Sequence, residues 1–224
     1  MNEKRAEAVG KAGENQIAKA LEKIPGVYVL RNLYIPGYRG KSTEIDVLAV
    51  TRKGLFVIES KAWVGDIRGS ARLNDWSVKI WPGAKPEKRY SPIKQNAKHI
   101  RVLSRFLNLP DDRLPHSVIV FTSSQAELKK VPENTGDYTI LKGTGALQKF
   151  IERRLRVRRD VFTDRELKAI IEKLGSAAPK PTRKLKKAHV NYAKRAESKR
   201  LEAKEKRRLA DKRRRKATKK RKRS

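Results

Sequence analysis

The spacing of apolar side chains along the chain predicts four helices and several short strands. Apolar residues recur at helical intervals over residues 3–24 until Pro25-Gly26 interrupts them, whereas later segments have the pattern and length of strands. The predicted helices cover residues 3–24, 92–107, 144–155 and 164–174, and the predicted strands cover 27–35, 43–50, 55–61, 117–121 and 138–141, with a hairpin over 67–81 that turns near Asn74 and Asp75. This order is neither alternating nor all-β, so it predicts an α/β fold of the α+β type, with helices on both faces of a mixed sheet.

The second and third predicted strands are apolar on both faces through their middles, which is typical of a central hairpin covered on both sides. If the connecting loop holds an even number of residues, Asp46 lies opposite Glu59 and Lys61 points the same way, while Ile45 falls on the other face. A three-residue loop with a bulge at Gly54 is the alternative, and it would move Asp46 to the opposite face.

Two carboxylates at the end of this hairpin require compensation. Directly opposed like charges destabilise a sheet, and charges removed from water need partners. A divalent cation held by Asp46 and Glu59 would meet both requirements, and Lys61 would add a positive charge beside it. The three residues together predict a metal site, whereas either carboxylate alone would equally fit a capped strand end or an ion pair with the lysine.

Two predicted helices carry further polar groups on their buried stripes. Glu14 lies on the stripe of the first helix, where Gly10 and Gly13 would permit close approach to the sheet. Gln95 and His99 lie one turn apart on the helix over residues 92–107. The glutamine could hold a phosphate, a water or the lysine, and a histidine taken alone is more typical of a structural role.

The charge of the chain indicates a polyanionic partner. Lys and Arg number 57 against 24 Asp and Glu, which gives a formal net charge of +33 over 224 residues. No apolar run reaches the length of a membrane span, no secretory signal precedes the first helix, and there is no cysteine for disulfides or zinc. These features favour nucleic acid over a membrane as the partner and a cytoplasmic location, associated with the nucleoid if the host is bacterial.

The basic excess is concentrated at the end of the chain. Residues 179–224 contain 23 Lys and Arg against 4 acids and few large apolar side chains, so they cannot form a core. We expect a folded domain over residues 1–175, a proline-containing hinge over 176–182, and a disordered or helical arm over 183–224 that binds the nucleic-acid backbone. The basic residues chosen as its binding residues are Arg207, Arg208, Arg213, Arg214, Arg215, Lys219 and Lys220.

Three segments resemble the nuclease-related domain (NERD) family of the PD-(D/E)XK nuclease superfamily: GKAGENQIAKAL, TEIDVLAVTRKGLFVIESKAWVGDIRG and SPIKQNAKHI. The resemblance covers about residues 10–120 and implies a restriction-endonuclease-like αβββαβ core with Mg²⁺- or Mn²⁺-dependent hydrolysis of phosphodiester bonds. It implies that Lys61 activates water or stabilises the transition state and that Gln95 is an accessory catalytic residue. The metal ligands that it implies are Asp46, Glu59, the carbonyl of Ser60 and Glu14.

The combined expectation is a metal-dependent nuclease, with DNA favoured over RNA as its substrate. The alternatives are a binding protein that keeps the nuclease fold without catalysis, or an RNA- or ribosome-associated basic protein. Four aromatic residues, Trp63, Trp76, Trp81 and Tyr90, could stack on bases, although packing is the more usual role of such residues.

Overall fold

The structure is a computed structural model that describes residues 3–37, 42–157 and 159–177, together with four isolated positions near the end of the chain. The chain divides into two units, Met1–Pro179 and Lys180–Ser224. In the second unit the described residues are helical and exposed: Glu202, Glu205, Arg208 and Ala210. The rest of the predicted arm lies outside the described residues, so the predicted boundaries of domain, hinge and arm stay predictions.

The described part of the first unit forms four α-helices and nine strands. The helices are α1 Glu3–Leu21, α2 Pro92–Leu107, α3 Thr144–Val157 and α4 Asp164–Ala177. The strands are β1 Tyr28–Pro36, β2 Ser42–Thr51, β3 Gly54–Lys61, β4 Gly65–Arg68, β5 Asp75–Lys79, β6 Glu87–Tyr90, β7 His116–Phe121, β8 Ala126–Lys130 and β9 Tyr138–Lys142. All four predicted helices and all five singly predicted strands are present, with ends that differ by a few residues.

The strands form two mixed sheets. The larger sheet has the order β1-β2-β3-β7-β9, antiparallel through β3 and parallel from β3 to β9. The smaller sheet has the order β6-β5-β4-β8, in which β4 and β8 are parallel. The elements α1, β1, β2, β3, α2 and β7 therefore give the expected αβββαβ core, and most of the smaller sheet is inserted between β3 and α2.

Helices cover both faces of the larger sheet, as predicted. One face packs against α2 and α4 around Leu48, Val57 and Leu103, and the other packs against α1 and α3 around Val47 and Ile58. Both faces of the central hairpin are therefore apolar and buried, as the sequence predicted.

The register of the β2–β3 hairpin agrees with the even-numbered loop. Val47 pairs with Ile58 and Val50 pairs with Leu55, which is the register that directs Asp46 toward Glu59. The alternative of a three-residue loop with a bulge is therefore wrong.

The alternation of side chains between the two faces of the sheet is broken at one point of β2. Asn32 of β1 has a φ of 51°, and the ladder between β1 and β2 is interrupted where Asn32 would pair with Asp46. Beyond this interruption Ile45 packs in the same cluster as Leu48, so the prediction that Ile45 lies on the opposite face is wrong. Asparagine tolerates a left-handed conformation, which lets both strands change the faces of their side chains at this site.

The smaller sheet departs most from the predicted elements. The hairpin over 67–81 exists as β4 and β5, but its connection covers residues 69–74 and Asp75 already pairs with Tyr90 in β6. The pairing of Arg68 with Ser77 centres the hairpin between Arg72 and Leu73, so the turn predicted near Asn74 and Asp75 is wrong by two residues. Trp76 packs on Gly69 at the base of this loop. The strands β6 and β8 were not predicted, since they are short and mostly polar.

Asn96 attaches helix α2 to the larger sheet. This fully buried side chain donates hydrogen bonds from Nδ2 to the carbonyl of Val57 and to Oγ of Ser117, both at 2.9 Å. A buried polar group requires such partners, and here they belong to two neighbouring strands. The hydrogen bonds hold the helix in place across β3 and β7, and so they position Gln95 and His99.

We predict that Asn96→Ala lowers the free energy of unfolding by about 1–3 kcal/mol, because it leaves buried acceptors without a donor. Urea unfolding followed by circular dichroism measures this change. The control is Asn15→Ala, which alters an exposed asparagine on α1 and should change stability by less than about 0.5 kcal/mol. Equal effects of the two substitutions would contradict the proposed attachment.

Candidate active site

A buried ion pair lies at the end of β3. Lys61 Nζ is 2.5 Å from Glu59 Oε1, and the two side chains are only 14% and 2% exposed. The ammonium also donates a hydrogen bond to Oε1 of Gln95 on α2, at 3.1 Å. Of the three ligands that the sequence allowed for Gln95, the structure therefore shows the lysine.

Asp46 approaches this pair from β2. Its Oδ2 accepts a hydrogen bond of 2.9 Å from the backbone N–H of Ser60, so the carboxylate is fixed against β3. Burial raises the pKa of Asp46 well above its usual range, and the negative charge of Glu59 raises it further, while the Lys61 ammonium acts in the opposite sense. The site thus holds a carboxylate whose negative charge is incompletely compensated.

Glu59 has a second neighbour, the imidazole of His99 on α2. Its Oε2 lies 3.2 Å from Nε2 of His99, and Nδ1 of the same ring is 2.5 Å from Oγ1 of Thr43. Burial alone would raise the pKa of Glu59, but Lys61 and His99 together lower it below its usual range. His99 therefore orients a residue of the site, beyond the structural role that its sequence context suggested.

Helix α1 adds a further carboxylate. Burial raises the pKa of Glu14 to about 7, and the charges of Glu44 and Glu59 contribute to this rise. Glu44 accepts a hydrogen bond from Tyr34, and neither residue was a candidate from sequence, since Glu44 looks like one more polar position of a strand. These interactions place Glu14 in the electrostatic field of the site, as expected from its position on the buried stripe.

Gly13 explains how α1 comes close to the sheet. A Cβ atom at this position would lie 2.6 Å from Oγ1 of Thr122 and 3.1 Å from Oγ of Ser60. A Cβ atom at Gly10 would meet no neighbouring atom within 4 Å, so the expected role of Gly10 in this approach is wrong.

The predicted site residues thus fall into two groups. Asp46, Glu59, Lys61 and Gln95 come together, with Glu14 close enough to affect their charges. Ser60 contributes its backbone N–H to Asp46, and its proposed role as a carbonyl ligand stays a prediction. Of the predicted basic residues of the arm, Arg208 is helical and exposed, and the others lie outside the described residues: Arg207, Arg213, Arg214, Arg215, Lys219 and Lys220.

A divalent cation at this site would require oxygen ligands from the surrounding side chains. Within the described ranges, no group of three or more His, Asp and Glu side chains is arranged to hold a metal ion. Mg²⁺ is usually bound through only one or two carboxylates and keeps several waters. The carboxylates of Asp46 and Glu59 therefore fit Mg²⁺ in the number and chemistry of ligands.

In the part of the chain that the structure describes, no helix is both long and apolar enough to cross a bilayer.

Three comparisons relate the chain to known proteins. The profile of the nuclease-related domain family matches residues 9–122, just over half of the chain. An uncharacterized protein of Bacillus anthracis is 30% identical over 145 residues, which are 64% of this chain and 66% of that protein, slightly under two thirds of its length. A crystal structure of a protein of unknown function, AF1548, is 17% identical and aligns over 83% of this chain and 97% of the other, with a TM-score of 0.32. At that score the structural likeness carries no functional information. The match over residues 9–122 shows that this chain belongs to the nuclease-related domain (NERD) family.

Proposed function

We propose that the protein is a metal-dependent nuclease that hydrolyses phosphodiester bonds of DNA. The observation that carries this proposal is the joining of Asp46, Glu59 and Lys61 in one partly buried site at the end of a central hairpin. Asp46 is half-buried and Glu59 is buried, and their like charges repel, so the proximity of these two carboxyl groups favours a chemical role. Membership of a nuclease-related family supports the same interpretation.

Asp46 and Glu59 are the residues that would hold Mg²⁺ or Mn²⁺. When bound, such a cation supplies a Lewis acid for a phosphoryl oxygen and a water of lowered pKa. The incomplete compensation of Asp46 supports this assignment, because a second positive charge near it would relieve the repulsion from Glu59. Glu14 and the carbonyl of Ser60 are proposed as further ligands, directly or through water.

The remaining side chains position groups and stabilise charge. The Lys61 ammonium, held by Glu59 and Gln95, has one N–H direction left for the attacking water or a non-bridging phosphate oxygen. Nε2 of His99 lies 3.2 Å from the other carboxylate oxygen of Glu59 and would help to position it. Fixed donors of this kind act where negative charge develops in the transition state.

The second candidate function is nucleic-acid binding without catalysis. The observation in its favour is that both oxygens of Glu59 already have nitrogen neighbours, Lys61 Nζ and His99 Nε2. In that case the site would be a structural ion network. The same polybasic arm would bind the nucleic-acid backbone under either proposal.

We predict that Lys61→Ala lowers Mg²⁺-dependent cleavage roughly 100-fold or more, since it removes a fixed donor to the transition state. Cleavage is measured on linear, circular, single-stranded and duplex DNA with Mg²⁺ or Mn²⁺. Lys53→Ala is the matched control, because Lys53 lies at the other end of the hairpin in an ion pair with Asp160.

A second substitution, Asp46→Asn, distinguishes a loss of catalysis from a loss of folding in the same cleavage assay. It should abolish cleavage and metal binding, leave DNA affinity largely intact, and keep or raise stability because it removes a charge that burial disfavours. Metal-dependent cleavage at the full rate in this variant would refute the site. Tight binding by the wild type without cleavage would favour the second candidate.

A pH dependence follows from the raised pKa of Glu14. In metal-free protein the folded state binds the Glu14 proton up to a pKa of about 7, against an ordinary value of 4.5. The proton on Glu14 therefore contributes fully to the free energy of unfolding below pH 4.5, and this contribution is lost as the pH rises through 7. Urea unfolding in EDTA should show wild type losing stability relative to Glu14→Gln between about pH 5 and 8. Glu22→Gln, which alters an exposed carboxylate just beyond α1, should produce no such trend.

The role of the arm predicts a change in salt dependence. Replacing the seven chosen arginines and lysines with glutamine should weaken binding to DNA of any sequence and flatten the log–log dependence on salt by about 0.9 for each phosphate that is no longer neutralised. Titrations of labelled DNA over a series of salt concentrations measure the slope. An unchanged slope would show that the arm does not bind DNA.

A further inference from the structure

The aromatic residues that the sequence suggested for stacking on bases differ in their exposure to solvent. Trp76 is 1% exposed and stacks on Phe121 inside the core, so it cannot meet a ligand. Trp63 is partly buried against the same two rings. Trp81 is 61% exposed, at the turn between β5 and β6. Of the three tryptophans, only Trp81 presents a largely free ring to solvent.

We propose that the surface formed by β4, β5 and β6 is a stacking platform for an unpaired base, with Trp81 as the stacking side chain. The substrate would then reach the site as a single strand or an unpaired end, and not as a continuous duplex. This inference rests on the proposed nuclease function for its meaning, but the binding step can be tested without cleavage.

The platform begins beside the catalytic lysine. Gly65 opens β4 only four residues after Lys61 and has a φ of 87°. A Cβ atom there would lie 2.2 Å from the carbonyl oxygen of Lys79, so β5 runs directly against the start of β4. Lys79 ends β5 and Trp81 follows two residues later. The exposed ring therefore belongs to the end of the smaller sheet that adjoins the site.

Two cationic side chains flank the Trp63 ring between the site and the smaller sheet. The Trp63 ring centroid is 5.9 Å from Lys61 Nζ and 5.4 Å from the guanidinium carbon of Arg89 in β6, so these two cationic groups are at most about 11 Å apart. Arg89 pairs with Trp76 near the start of β5, whereas Trp81 follows the end of β5. A single strand that contacts Lys61, Arg89 and Trp81 would therefore run along the length of the smaller sheet.

The charge of this surface favours a polyanion over a protein partner. Residues 61–94 contain eight Lys and Arg against three acids. Half of the eight exposed large hydrophobic residues in the described part of the chain also lie here: Leu73, Ile80, Trp81 and Tyr90. Aromatic rings between cations are typical of surfaces that bind single strands, whereas the centres of protein interfaces are depleted in charge.

Trp81 is held in place by a closed turn. Its carbonyl accepts a hydrogen bond of 3.0 Å from the N–H of Ala84, with Pro82 at the second position of the turn, where its fixed φ is favoured. A backbone that is already ordered loses little freedom on binding, so stacking on this ring would retain most of its binding energy.

The test measures binding of the full-length protein in EDTA, at raised salt to weaken the contribution of the basic arm. Three labelled ligands are compared: oligothymidylate, an abasic strand of equal length, and a duplex closed at both ends. The variants are Trp81→Ala, Trp81→Phe and Tyr28→Ala, the last as a control because Tyr28 is 57% exposed on the edge strand β1. Thermal unfolding establishes that each variant is folded.

We expect Trp81→Ala to weaken oligothymidylate binding roughly 5- to 100-fold, the range for one stacked base. Trp81→Phe should restore most of the affinity, and binding of the abasic strand and the closed duplex should change by less than about twofold. Equal reductions on all three ligands, or equal effects of Trp81→Ala and Tyr28→Ala, would overturn the platform. Stacking without metal-dependent cleavage would instead reject the proposed nuclease function and leave the platform standing.

Discussion

The buried ion pair between Glu59 and Lys61 is the interaction on which the rest of the site depends. Both charges lie at the end of a strand covered on two faces, where a single unpaired charge would destabilise the protein by about 3–5 kcal/mol. The pair is not isolated, because Gln95 accepts from the lysine and His99 approaches the carboxylate. Asp46 adds a further carboxyl group, whose pKa is raised by burial and by the charge of Glu59. A bound cation would favour the ionised form of this group, which supports the proposed role of Asp46 as a metal ligand.

The fold brings four separate segments to this pair. The β2–β3 hairpin supplies the charged residues, and Asn96 attaches α2 so that its polar side chains meet them. Helix α1 approaches through Gly13, where any side chain would collide with the sheet. The interruption at Asn32 turns the end of β2, which places Ile45 in the core cluster under α2 and Thr43 against His99. Each of these interactions joins residues that are distant in the sequence.

The smaller sheet extends the site in one direction. It follows β3 directly, and its β6 strand contributes Arg89, which shares the Trp63 ring with Lys61. A surface that is both basic and aromatic suits a flexible polyanion with exposed bases, because the cations meet phosphates while the rings meet bases. The arm beyond residue 179 would add affinity for any nucleic acid, whereas the platform would discriminate paired from unpaired substrates. The two features would therefore make different contributions to one function.

The sequence by itself determined the αβββαβ core and identified Asp46, Glu59 and Lys61 as candidates for one site, because both follow from local periodicity. It left two registers of the central hairpin open, and the structure decided between them. Only the tertiary structure showed on which face of the sheet Ile45 lies. The alternation of residues along β2 carries no information about Asn32, the left-handed residue in the neighbouring strand β1. It also showed that the short polar segments β6 and β8 are strands. These segments have no apolar pattern of their own and become strands by pairing with their neighbours. The hydrogen bond between Thr43 and His99 likewise joins residues 56 apart in the chain, and packing, not local pattern, brings them together.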